Sequence, residues 1–72
     1  MSIGNEIKRR REIAGITQDD LARVVCLSRS AIAQYENGYK LPSLMALDRI
    51  ADALGTTSAA ILEAGTAKEA RT

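Results

Sequence analysis

This sequence predicts an all-α fold, and three observations carry that expectation. Apolar residues recur at helical spacing along the chain, and nothing in it reads as a strand. Hydroxyl residues precede the periodic segments and glycines follow them, the punctuation of helix starts and stops. Finally, 72 residues with 46% hydrophobic and 26% charged content suit one small folded domain. Its core must be aliphatic, because Tyr35 and Tyr39 are its only aromatic residues.

The first helix starts from Ser2, with Ile3, Ile7 and Ala14 on one buried face and Arg10 and Arg11 between them. Gly15 closes it, since a residue without Cβ enters the left-handed conformation at no steric cost. Thr17 is an N-cap candidate with Asp20 three residues on, and Leu21, Ala22 and Val25 form the inner face of a short second helix. After a turn at Cys26 and Leu27, Ser28 caps a third helix from about Arg29 to Tyr35 or Glu36, with Ile32 and Tyr35 inward. Asn37 and Gly38 end it, and Tyr39 to Pro42 form an extended link, because the residue before proline avoids the α region. Ser43 caps a fourth helix whose inner face is Leu44, Leu47, Ile50, Ala51 and Leu54, and Gly55 ends it. Thr57 caps a short fifth helix carrying Ile61 and Leu62. Apolar spacing stops at Gly65, so residues 1–64 are expected to form the domain and 65–72 a flexible tail. The short turn between the second and third helices suits a crossing of about 90–120°, the geometry of a helix-turn-helix.

Several function classes fall away on composition. A single cysteine, Cys26, excludes an intramolecular disulfide framework and a cysteine zinc site. The absence of histidine removes the commonest general base, the imidazole metal ligand and every Ser/His or Cys/His dyad. No catalytic residue, metal, cofactor or small-molecule ligand is therefore expected, and the chain is not read as an enzyme. The amino-terminal stretch lacks the apolar segment of a signal peptide, and no apolar run approaches the ~20 residues of a membrane helix. A reducing, cytoplasmic setting without membrane contact is the expectation. With a net charge of +1, any affinity for nucleic acid must come from where the charges sit.

The stretch from Thr17 to Gly38 carries a recognisable combination. It opens with Thr17-Gln18 and Leu21-Ala22 and closes with Glu36-Asn37-Gly38. With Ile3-Gly4, Arg11 and Ala14-Gly15-Ile16 before it, and Pro42-Ser43-Leu44 and Ala53-Leu54-Gly55 after it, the chain resembles the lambdoid phage repressor and Cro proteins. These belong to the wider xenobiotic-response-element (XRE) group of bacterial regulators, and the resemblance covers residues 3–64. Ala22 is small where the third helix crosses closely over the second. Arg29, Ser30, Ala33 and Gln34 remain on the outer face of the third helix. The resemblance implies that this face enters the major groove of double-stranded DNA. Arginine pairs bidentately with guanine and glutamine with adenine, so Arg29 and Gln34 carry the strongest groove chemistry. The family pattern further implies backbone contacts from Gln18, Ser28, Asn37 and, in the following loop, Lys40. It also implies a partly buried ion pair between Arg11 and Glu36, structural in role.

The sequence departs from the pattern at three places. Cys26 stands where the family commonly has glycine in a left-handed turn, at a cost to other residues of roughly 1–2 kcal/mol; its thiol is expected to be buried or inert rather than redox-sensing. Arg10 and Ser58 replace commonly apolar residues, and the stem of Arg10 must cross the core edge. Ile13 points away from the Ile3/Ile7 face. The basic run Lys8 to Arg11 spreads around the helix rather than forming one patch.

These features predict a sequence-specific transcriptional regulator, a repressor or autoregulator. It is expected to bind as a homodimer on a near-palindromic operator with half-sites ~34–36 Å apart. Ile61 and Leu62 are the expected dimer interface, being apolar beyond the apparent needs of one small core. The alternative is a protein-interaction module of the same fold, such as an antitoxin or adaptor, using Ile13, Ile61 and Leu62 and leaving Arg29 and Gln34 idle.

Overall fold

The computed structural model describes residues 2–70, with side chains described through Gly65. Among these residues there are five helices and no strand: α1 (Ile3–Ala14), α2 (Gln18–Val24), α3 (Arg29–Glu36), α4 (Leu44–Ala53) and α5 (Ser58–Ala70). None is long and apolar enough to cross a membrane.

One local device starts all five. A hydroxyl oxygen accepts the backbone N–H three residues ahead, an otherwise orphaned donor of the first turn. Ser2 takes that of Asn5 at 3.2 Å, Thr17 that of Asp20 at 3.0 Å, and Ser28, Ser43 and Thr57 those of Ala31, Ala46 and Ala60, each at 3.1 Å. At Thr17 the exchange is reciprocal, because the Asp20 carboxylate accepts the Thr17 backbone N–H at 3.1 Å. That hydrogen bond leads the causes holding the Asp20 carboxyl below its ordinary pKa. At the other end of α1, Gly15 sits in the left-handed conformation at φ 76° and its N–H caps the last carbonyls.

The core is aliphatic and draws on every helix: Ile7, Leu21, Ala22, Val25, Ile32, Leu47, Ile50, Ala51 and Ile61. α1 packs on α3 and α5, α2 on α3 and α4, and α4 on α5. Each fully buried isoleucine or leucine contributes about 1.5–3 kcal/mol, which matters in a chain with so little interior.

Four expectations about the interior are corrected. Ala14 is exposed, because residues 12–15 run past the core with nothing over them. Leu44, two-thirds exposed, lies roughly 70° of helix rotation from the centre of the Leu47/Ile50/Ala51/Leu54 face. As the first residue of α4 it also leans off the end of the core. Cys26 is exposed rather than buried. It adopts φ 60°, so the turn keeps the left-handed geometry that glycine would enter freely. Lastly, α5 does not end where its apolar spacing ends: it continues past Gly65 to Ala70. The last part of the expected tail, residues 71–72, lies outside the described residues.

Gly65 is buried, and a Cβ there would come 2.9 Å from the Ile3 backbone nitrogen. The helix therefore needs a residue without a side chain where it crosses the start of α1.

A charged residue fills an interior position that the apolar pattern did not reveal. Glu6 is 1% exposed on α1. Arg9 Nη2 and Nε donate to its two oxygens at 2.6 and 3.1 Å, and Arg10 Nε donates at 2.7 Å. These hydrogen bonds, that from Arg9 foremost, outweigh burial and hold the carboxyl down from 4.5 to about 2. A carboxyl with a depressed folded pKa stabilises the fold above its unfolded value and loses that contribution as pH falls through the folded value. Stability conferred by Glu6 should thus be complete above about pH 4.5 and disappear toward pH 2. Thermal melts of the parent and Glu6→Gln across that range should converge in acid; a constant gap would contradict the assignment.

Candidate nucleic-acid interface

α2 and α3 are joined by the residues Val25 to Ser28, and the Leu27 N–H closes the turn by donating to the Ala22 carbonyl at 2.9 Å. Ala22 is buried under the crossing and Leu21, Val25 and Ile32 fill the seam. This inward packing fixes which face of α3 looks out. Arg29, Ser30 and Gln34 are exposed on that face and Ala33 is half-buried among them. Three polar side chains thereby stand together on a helix that its neighbours hold from behind.

The residues expected at the DNA backbone flank this face. Ser28 is exposed, and its oxygen is occupied in capping α3, which leaves its hydroxyl hydrogen available. Asn37 lies at the far end of α3 as its C-cap, also exposed. The loop beyond is tied back to the helix, since the Tyr39 and Lys40 N–H groups both donate to the Gln34 carbonyl, at 3.0 and 3.3 Å. Lys40 is consequently exposed beside the end of α3. Gln18, at the first position of α2, lines one shallow depression with Arg29, Thr17 and Asp19.

Behind the interface, Arg11 and Glu36 meet as a bidentate pair. Arg11 Nε and Nη2 donate to Glu36 Oε2 and Oε1 at 2.7 and 3.1 Å, with the Arg11 side chain 10% and that of Glu36 1% exposed. The third donor of the fork, Nη1, reaches the Ile16 carbonyl at 2.8 Å. Burial opposes the charge on Arg11, but the hydrogen bond to Glu36 prevails and raises its pKa further. Gln18 joins this group, its Nε2 donating to Glu36 Oε1 at 3.1 Å. Part of the Gln18 amide is thus committed inward, a role the motif did not suggest. The bridge ties the end of α3 to α1, to the link before α2 and to the first residue of α2.

α1 also approaches α3 through Gly4. A Cβ built there would collide with the Tyr35 carbonyl oxygen and come 3.1 Å from that of Glu36. The start of α1 therefore lies directly on the last carbonyls of α3. Among the basic residues of α1, Arg9 and Arg10 are drawn to Glu6, whereas Lys8 is exposed.

One site residue must be withdrawn. Ile61 is 0% exposed and belongs to the core, so it cannot be the surface through which two copies meet. The single domain needs it, because α5 is the element that covers both α1 and α4. Leu62, the next residue, stays at the surface.

The model of the helix-turn-helix family matches residues 7–61. The chain belongs to this family. It is 40% identical over 62 residues to the immunity repressor protein of Bacillus phage phi105, an alignment that takes in 86% of this chain and 43% of that protein. Among solved structures, the P22 c2 repressor in complex with synthetic operator 9T superposes with a TM-score of 0.83 at 28% identity, covering 88% of this chain and 96% of the other. The clp gene regulator ClgR from Corynebacterium glutamicum superposes with a TM-score of 0.89 at 26% identity, covering 94% and 72%. The chain spans about two-fifths of the length of the curated relatives it matches.

Proposed function

We propose that this helix-turn-helix chain is the DNA-binding module of a transcriptional regulator, a repressor or autoregulator acting in the cytoplasm. It reads the major groove with α3 and works as a homodimer on a near-palindromic operator. The observation that carries this reading is the exposed trio Arg29, Ser30 and Gln34, on the outer face of a helix locked from behind by Ile32 and the Arg11–Glu36 bridge. A solvent-facing helix needs no such bracing, whereas base readout needs side chains held in a fixed relation to the groove. The relatives are phage and bacterial regulators, and one of the superposing proteins is described on an operator.

Within this reading, Arg29 and Gln34 supply bidentate base contacts, each worth about 1–3 kcal/mol of discrimination, with Ser30 and Ala33 lining the groove between them. Ser28, Asn37, Lys40 and the outward part of the Gln18 amide position the helix on phosphate and sugar. The interaction-module alternative is weakened, because it relies on Ile61, which is buried.

Titrations of the selected operator and of random duplex at two salt concentrations test the assignment. Arg29→Ala should weaken the operator far more than random DNA and collapse the specificity ratio. Lys40→Ala should weaken both alike and flatten the salt dependence by roughly one unit of slope. Equal losses on both duplexes for Arg29→Ala would remove that residue from the groove.

A further inference from the structure

The apolar side chains left outside the core are not scattered evenly. Leu41 and Leu44 are 76% and 66% exposed. With Pro42, Leu62, Ile3 and Leu47 they surround a concavity of about 240 Å³ at the junction of the 37–43 loop, α4 and α5. Met45, 70% exposed, follows directly on α4. No charged side chain lines the hollow. The fold of one chain does not account for this surface, since Leu44 lies outside the helix face that builds the core.

We propose that this surface, rather than Ile61, is where a second copy of the chain seats beside the first on DNA. Three features of the patch select that occupant. A two-fold interface must be self-complementary, and this patch offers protruding leucines and a hollow on the same face, so each copy can supply what the other lacks. An uncharged lining lets identical surfaces meet without like-charge repulsion, whereas a partner chosen by charge would find nothing there to read. The patch is also continuous with the proposed DNA interface. Leu41 directly follows Lys40 in the loop tied to the end of α3, so a copy seated there lies alongside the recognition helix and along the same duplex.

The size of the patch sets how it works. A few exposed side chains offer a few hundred Å², short of the roughly 800 Å² per partner of a stable complex. The free chain is therefore a monomer that associates weakly, and DNA supplies the effective concentration that completes the pair. The DNA half of this statement rests on the function proposed above; the surface itself does not.

Leu41→Asp and Leu44→Asp, each at an exposed position, test it, with thermal melts confirming that the fold is kept. In free protein diluted from about 1 mM, backbone resonances of residues 41–45 and 62 should shift in the parent and stay fixed in both variants. On DNA, the parent should bind a selected two-half-site duplex on the order of 100-fold more tightly than the same duplex with one half scrambled. The variants should keep the half-site affinity and lose that gain. Unchanged cooperativity in both variants overturns the proposal, as do concentration-dependent shifts confined to another face. A parent that binds no duplex yet shifts at 41–45 and 62 leaves the surface standing and removes the DNA reading. A parent that does neither overturns both.

Discussion

Glu36→Ala is expected to cost about 3–5 kcal/mol, because it strands the Arg11 guanidinium in a buried site without its counter-ion. Three donors converge on the lost carboxylate: Arg11 Nε, Arg11 Nη2 and Gln18 Nε2. Only Arg11 Nη1 keeps its partner, the Ile16 carbonyl. In a domain this small, 1 kcal/mol moves the melting temperature by about 4–8 °C. The variant should melt well over 10 °C lower, or be unfolded at room temperature, since total stability in this size class is modest. The loss belongs to the unpaired charge more than to the bridge itself. Replacing both residues by apolar ones of similar volume, Arg11→Met with Glu36→Met, should accordingly recover much of it. A Glu36→Ala melt within a degree or two of the parent would rule the bridge out as a stabilising element.

That bridge also shows how unevenly the molecule was legible in its sequence. The helix starts could be read because a cap is a local event: the hydroxyl and the N–H it serves are three residues apart. The outer face of α3 could be read because Leu21, Val25 and Ile32 assign the inner one by periodicity. Arg11 and Glu36 lie 25 residues apart and no spacing connects them; only the family resemblance did. Glu6 could not be read, because an acid between basic residues on a helix looks like part of a solvated face. Its burial depends on how Arg9 and Arg10 fold over it. Ile61 was assigned outward because counting apolar residues cannot tell a helix that covers the core from one that covers a neighbour. Leu44 was assigned inward because periodicity gives a direction around a helix but does not say where the core ends.

Gly4→Ala is the other substitution with a large expected effect, and intrinsic propensity points the wrong way. Alanine is favoured over glycine inside a helix by about 1 kcal/mol, so an exposed position would gain from the change. Gly4 is not exposed: the new methyl would occupy the space of the Tyr35 carbonyl oxygen, with the Glu36 carbonyl oxygen at 3.1 Å. Both obstacles are backbone in the last turn of α3, so no rotamer change relieves the clash and the two helices must separate. Overpacking typically costs about 1–3 kcal/mol, and a rigid obstacle puts this site at or above the upper end, which exceeds the propensity gain. Separation at that point also pulls α1 from the end of α3, where Arg11 holds Glu36. The two sites should therefore be coupled, with Glu36→Ala costing less in the Gly4→Ala background than alone. Gly65→Ala provides a graded comparison. Its Cβ would meet the Ile3 nitrogen at 2.9 Å and the Ile3 Cα and Cγ1 at 3.1 Å, a milder approach in which part of the obstacle is side chain. Denaturant melts should rank the parent first, Gly65→Ala second and Gly4→Ala last. A Gly4→Ala chain as stable as the parent would mean that α1 does not rest on the carbonyl end of the recognition helix.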